Sequence, residues 1–92
     1  MQIWNIEITA PTGNFRATLR ITDDGGEMAG KNGAGPMLDL QQDGDSLRWA
    51  TQIEKPMPMK MKFDGTVDGD QLSGTVKFGI FAKGTFEGTR AA

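Results

Sequence analysis

Met59-Lys60-Met61-Lys62-Phe63-Asp64-Gly65-Thr66-Val67-Asp68-Gly69-Asp70-Gln71-Leu72-Ser73-Gly74-Thr75-Val76-Lys77-Phe78 is the stretch on which the fold turns. Met59, Met61 and Phe63 alternate with Lys60, Lys62 and Asp64. After Asp68-Gly69 the alternation resumes, with Leu72, Val76 and Phe78 against Ser73, Thr75 and Lys77. A period of two sends one set of side chains to each face of a strand. Asp-Gly between two such runs marks a tight hairpin whose central pair is expected to need positive φ. Gly65, although it also follows an Asp, falls inside the alternation and is read as a strand residue.

The same grammar occurs twice more. Asp24-Gly25-Gly26-Glu27 leads to Met28, and Asp43-Gly44-Asp45-Ser46 leads to Leu47. Around these turns, Trp4, Ile6 and Ile8 alternate with Asn5, Glu7 and Thr9, and Phe15, Ala17, Leu19 and Ile21 with Arg16, Thr18 and Arg20. Leu47, Trp49, Thr51 and Ile53 oppose Ser46, Arg48 and Gln52. Weaker strands are expected near Met28–Lys31 and Leu38–Gln42, and a last one over Lys83–Thr89. Eight strands, each with one apolar face, must share a core. Short sequential connections predict an all-β fold, an eight-stranded antiparallel up-and-down meander closed into a small barrel, with a two-sheet β-sandwich as the alternative. Residues 1–92 form a single domain on this reading. Gly30, Gly65, Gly74, Gly84 and Gly88 fall on the inward parity, where they let a narrow barrel bend around large neighbours.

The two ends differ. The three Asp-Gly turns and both termini are expected at one end, which is tight and acidic. The other end collects Ala10-Pro11-Thr12-Gly13, Lys31-Asn32-Gly33-Ala34-Gly35-Pro36, Lys55-Pro56-Met57-Pro58 and Gly79-Ile80-Phe81-Ala82. These connections are longer, rich in Pro and Gly, and carry apolar residues. Any function is expected there.

Composition narrows the chemistry. The chain has no His, Cys or Tyr, which removes the commonest general base, the thiol nucleophile and the soft metal ligands. An enzyme would depend on carboxylates, lysines or threonines, so a non-enzymatic protein without cofactor is expected. A net charge of −2 argues against a nucleic-acid partner, which usually meets a basic face. No apolar run approaches the ~20 residues that span a bilayer, and Met1–Ile6 lacks the basic start of a secretory signal. No membrane contact and a cytoplasmic location are the corresponding expectations. The acidic residues of the turns read as turn chemistry rather than a cation site, since a Ca²⁺ loop would need six to eight converging oxygens.

The candidate ligand-binding residues are Trp4, Trp49, Thr51, Met57, Pro58, Met59 and Phe81. Methionine accommodates varied ligand shapes, indole offers a stacking surface, and Thr51 is the polar inward residue of its strand. Each has a structural reading beside the functional one: Met59 and the tryptophans fill core, the prolines shape a loop, and Phe81 folds back into the barrel. Lys60, Lys62, Lys77 and Arg48, with Glu54, Asp64 and Glu87 among them, read as a mixed solvated face.

Thr9-Ala10-Pro11-Thr12-Gly13, Met57-Pro58-Met59, Phe63-Asp64-Gly65-Thr66-Val67-Asp68-Gly69-Asp70, Leu72-Ser73-Gly74-Thr75-Val76 and Gly84-Thr85-Phe86-Glu87-Gly88-Thr89-Arg90 resemble a family of small uncharacterised bacterial proteins. Similar segments occur as modules appended to amidohydrolase-type enzymes. The resemblance implies a small β-barrel and carries no catalytic residues with it. The architecture is similar to that of the calycins (lipocalins, fatty-acid-binding proteins, avidins), although their opening Gly-x-Trp is absent and Trp4 follows Gln2-Ile3. Two functions are therefore expected in competition: binding of a small hydrophobic ligand at the loop-rich end, or a protein-interaction or oligomerisation module, such as a homodimer, with a fully packed core.

Overall fold

The computed structural model describes residues 1–11, 13–30, 33–53, 59–79 and 82–91. Nine strands lie in one antiparallel sheet: β1 (Gln2–Ala10), β2 (Gly13–Thr22), β3 (Gly25–Gly30), β4 (Gly33–Pro36), β5 (Leu38–Asp43), β6 (Ser46–Ile53), β7 (Met59–Asp68), β8 (Gln71–Phe78) and β9 (Ala82–Arg90). Their order is β4-β3-β2-β1-β9-β8-β7-β6-β5. The last strand returns to the first, Trp4 standing opposite Arg90 and Thr9 opposite Thr85. The sheet curls into a nearly closed barrel, as the alternation predicts, and not into a sandwich.

Nine strands appear where eight are expected because one strand is broken. Gly33–Pro36 reads as loop from its Gly and Pro, yet it pairs with β3, from Gly30↔Gly33 to Glu27↔Pro36. The Met37 N–H then donates to the Gly26 carbonyl at 2.8 Å, and Leu38 stands opposite Ala50 of β6. β4 and β5 are thus two halves of one strand that leaves β3 for β6. The changeover carries a register shift between Leu38 and Gln41 and a positive φ of 53° at Asp39. β4 is a sheet edge, where Pro and Gly are tolerated because fewer ladder bonds are demanded of them.

The turns also differ in detail. Asp43 pairs with Ser46 and Asp68 with Gln71, so the central residues are Gly44-Asp45 and Gly69-Asp70 rather than Asp-Gly. Gly44 and Gly69 have φ of 61° and 63°. Glycine at the first central position is the II′ arrangement, in which a single residue takes positive φ. At the first hairpin the turn is Asp23-Asp24, with Thr22 opposite Gly25. The Thr22 hydroxyl accepts from the Asp24 N–H at 3.3 Å and lies 3.3 Å from the Gly25 carbonyl.

The interior is filled by one cluster that includes Trp4, Ile6, Leu19, Leu47, Trp49, Phe63, Leu72, Val76 and Phe86. Trp49 stacks on Phe63 at 4.6 Å, and both meet Phe86 edge-on at 5.4 Å. The inward glycines make this trio fit. A Cβ on Gly65 would stand 2.8 Å from Phe86 Cζ and 3.0 Å from Leu72 Cδ1, closer than atoms tolerate in a core already at crystal-like density.

The turn-rich end is closed. Trp4 is fully buried, and its Nε1–H donates to Gln2 Oε1 at 3.2 Å. Gln2 in turn donates to Gln42 Oε1 at 3.2 Å, which spans from β1 to β5. The Arg90 guanidinium lies 4.4 Å above the Trp4 ring and 3.5 Å from Asp70. Both termini lie here, as expected: the Ala91 N–H bonds the Ile3 carbonyl at 2.7 Å.

Candidate functional site

Strand β6 builds the site. Its inward parity carries Leu47, Trp49 and Thr51 upward from the acidic turn toward the loop-rich end. In register, Trp49 stands opposite Phe63 and Thr51 opposite Met61, which is itself opposite Phe78. Thr51 therefore lies one layer above the aromatic trio. Above Ala50, β6 has lost β5 as a hydrogen-bonded neighbour, and β4 takes its place without joining the ladder. A Cβ on Gly35 would come to 4.0 Å from the Thr51 hydroxyl.

One buried polar group in this region lacks a partner among the described residues. Trp49 is 3% exposed, and its Nε1–H has no acceptor among the described residues. Thr51 is 5% exposed. A buried donor left unbonded costs about 1–3 kcal/mol. The contrast with Trp4 is informative, since the same indole N–H there is answered by Gln2.

Around these groups the surface is apolar. Met61 and Phe78 are buried, and Met59 and Ala82 are half-buried against the core. Phe15 is 48% exposed although it sits on the inward parity of β2. It lies beyond the reach of β3, whose pairing stops at Ala17↔Gly30. Phe15 thus belongs to the rim of the loop-rich end, where sequence reading placed it in the core. Its signal was present in the lengths of the runs, because β3 is too short to cover it.

Of the candidates named from sequence, the fold brings Trp49, Thr51 and Met59 together. Trp4 is placed at the opposite, closed end with its ring and N–H both engaged. Met57, Pro58 and Phe81 lie outside the described residues, as do Ile80 and Glu54. Among the described residues no three His, Cys, Asp or Glu side chains converge on a metal-sized position, and no helix is long and apolar enough to cross a membrane.

The outer wall carries a separate feature, an open depression of about 860 Å³ over β9, β1, β2 and β3, bordered by Glu87, Asn5, Glu7, Arg16 and Ala29. Glu7 and Glu87 stand directly opposite one another. Arg16 lies 3.6 Å from Glu7. Elsewhere Arg48 and Asp64 pair at 3.4 Å, and Lys60 and Asp39 at 3.9 Å.

Comparison with protein-family models, with the curated proteins and with the solved structures found no match. The fold and site define a class: a small antiparallel barrel, packed in its middle and closed at its turn-rich end, with one buried indole N–H that has no acceptor among the described residues.

Proposed function

We propose that this protein is a non-enzymatic barrel that binds one small, largely apolar molecule at its loop-rich end. The carrying observation is the Trp49 Nε1–H, buried without an acceptor among the described residues on the strand face that also carries Thr51. A ligand with a carbonyl or carboxylate oxygen would satisfy that donor and accept or donate at the Thr51 hydroxyl, while Met59, Met61 and Phe15 cover its apolar part. Recognition sites are commonly built this way, as an apolar surface with few polar groups that fix orientation. The absence of His, Cys and Tyr supports binding rather than catalysis. A likeness in architecture to the calycins, which hold ligands in similar barrels, supports it by analogy alone. We place the protein in the cytoplasm, in keeping with a chain that has no cysteine.

The test is a fluorescence titration. A Trp4→Phe variant leaves Trp49 as its one indole, and its emission is followed against fatty acids and apolar dyes. A saturable change, weakened in the added Thr51→Val variant, is the expected result. No saturable change across a broad panel would overturn the reading.

The second reading, an interaction module, is favoured by the packing of the aromatic trio, which fills the middle of the barrel. It places function on the outer wall rather than inside.

A further inference from the structure

The outward residues of β7, β8 and β9 carry a pattern that the mixed-face reading of the sequence did not anticipate. Lys62 stands opposite Lys77, and Lys77 opposite Lys83. All three are exposed. Like charges in direct register on neighbouring strands repel one another. The ion pairs among the described residues involve none of the three, whereas Arg48 has Asp64 at 3.4 Å, Lys60 has Asp39 at 3.9 Å and Arg16 has Glu7 at 3.6 Å. A chain of net charge −2 thus sets a row of ammonium groups apart from its carboxylates.

The surroundings limit what fits this row. One layer toward the turn-rich end, Asp64, Thr75, Thr85 and Thr9 continue across β7, β8, β9 and β1. Asp64 is engaged by Arg48, so this layer offers mainly hydroxyls, which donate or accept. In the next layer Ser73 stands opposite Glu87, and Glu87 opposite Glu7. The row is therefore one residue deep, and two strand spacings, ~10 Å, separate its ends. A short run of carboxylates matches it. Alternate side chains of an extended segment stand ~7 Å apart on one face, and flexible lysine stems take up the difference. A long polyanion finds no continuation: beyond Lys62 the row ends at buried Ala50, and toward the turns it meets Glu87 and Glu7.

We propose that this row docks a short acidic segment of a partner protein, laid across β7, β8 and β9 with its carboxylates on Lys62, Lys77 and Lys83. The inference rests on the second of the two functional readings and gives it a class of partner. The docked carboxylates relieve the repulsion within the row, and Thr75 and Thr85 offer hydroxyls to the segment's backbone.

Fluorescence anisotropy of dye-labelled hexaglutamate tests it, at about 0.1 M salt, where exposed charges more than ~10 Å apart are screened. The expected result is saturable binding that weakens as salt rises. Lys77→Glu, at the centre of the row, should weaken it about tenfold. Lys77→Arg keeps the charge and should stay within about twofold of the parent. Arg20→Glu makes the same change in net charge on β2, opposite Ile3 near the turn-rich end, and should shift binding less than about twofold. These side chains are exposed, so circular dichroism should show unchanged folding. Equal weakening by Lys77→Glu and Arg20→Glu overturns the row in favour of net charge alone. Tighter binding of a short oligodeoxythymidylate through the same lysines overturns the acidic segment in favour of a nucleic-acid backbone. A chain that self-associates in sedimentation yet ignores hexaglutamate overturns the docking row and leaves the second reading standing. A monomer that ignores it overturns both.

Discussion

Trp49 presents two faces to the energetics. Its ring is held by Phe63 and Phe86, while its N–H is buried without an acceptor among the described residues. Phenylalanine at this position keeps the stacked ring and removes the orphan. Trp49→Phe should therefore lose less than about 1 kcal/mol of stability in urea denaturation without ligand, or gain some, the loss of buried area being offset by the released donor. The same variant should bind apolar carboxylic acids more weakly in calorimetry. Gly65 shows the opposite constraint. A methyl group there meets the Phe86 and Leu72 side chains, so Gly65→Ala should cost about 1–3 kcal/mol, read as a lower urea midpoint. The inward parity of Gly65 is legible from Phe63-Asp64-Gly65 alone. The neighbour that makes it obligatory is not, because Phe86 lies two strands away and meets Gly65 only through the β7-β8-β9 register, across Gly74.

At the scale of the element, the alternating strands were legible and the broken one was not. Alternation reports burial on one face, and the segment Gly33–Pro36 has almost no side chains with which to report it. Its pairing with β3 follows from position: it is the chain that must cross from β3 to β6 if the barrel is to close. The crossing needs the positive φ of Asp39, a conformation that a short polar side chain tolerates and a β-branched one does not. Asp39→Val should destabilise by about 1–3 kcal/mol in thermal or urea unfolding, the usual cost of a strained φ. Asp39→Asn should stay close to the parent, since the ion pair with Lys60 is long and exposed and contributes little. The turns make a related point. Asp-Gly announced a hairpin correctly, while the pairing register placed Gly44 and Gly69 at the first central position of two turns and Asp23 at that of the other.

At the scale of the whole molecule, the barrel has a strong side and a seam. β1, β9, β8, β7 and β6 form continuous ladders, whereas β4 and β5 are the free edges where the sheet is only nearly closed. Hydrogen exchange should follow this division. Amides of β8 and β9 should be the slowest, and those of Gly33–Gly35 should exchange orders of magnitude faster, because edge segments open without global unfolding. Uniform protection of β4 with β8 would show that the seam is shut in solution. The chain's own residues determined the all-β class, the inward parity, the acidic turn-rich end and the absence of His, Cys and Tyr chemistry, because each is a local property of spacing or composition. The tertiary structure alone decided the rest. It split one strand in two, assigned Trp4 to a closed end and Trp49 to the region below the mouth, and stacked Lys62, Lys77 and Lys83 in one layer against Glu7 and Glu87 in another. Those relations depend on strand register around a closed wall, and register joins residues that no local pattern in the chain connects.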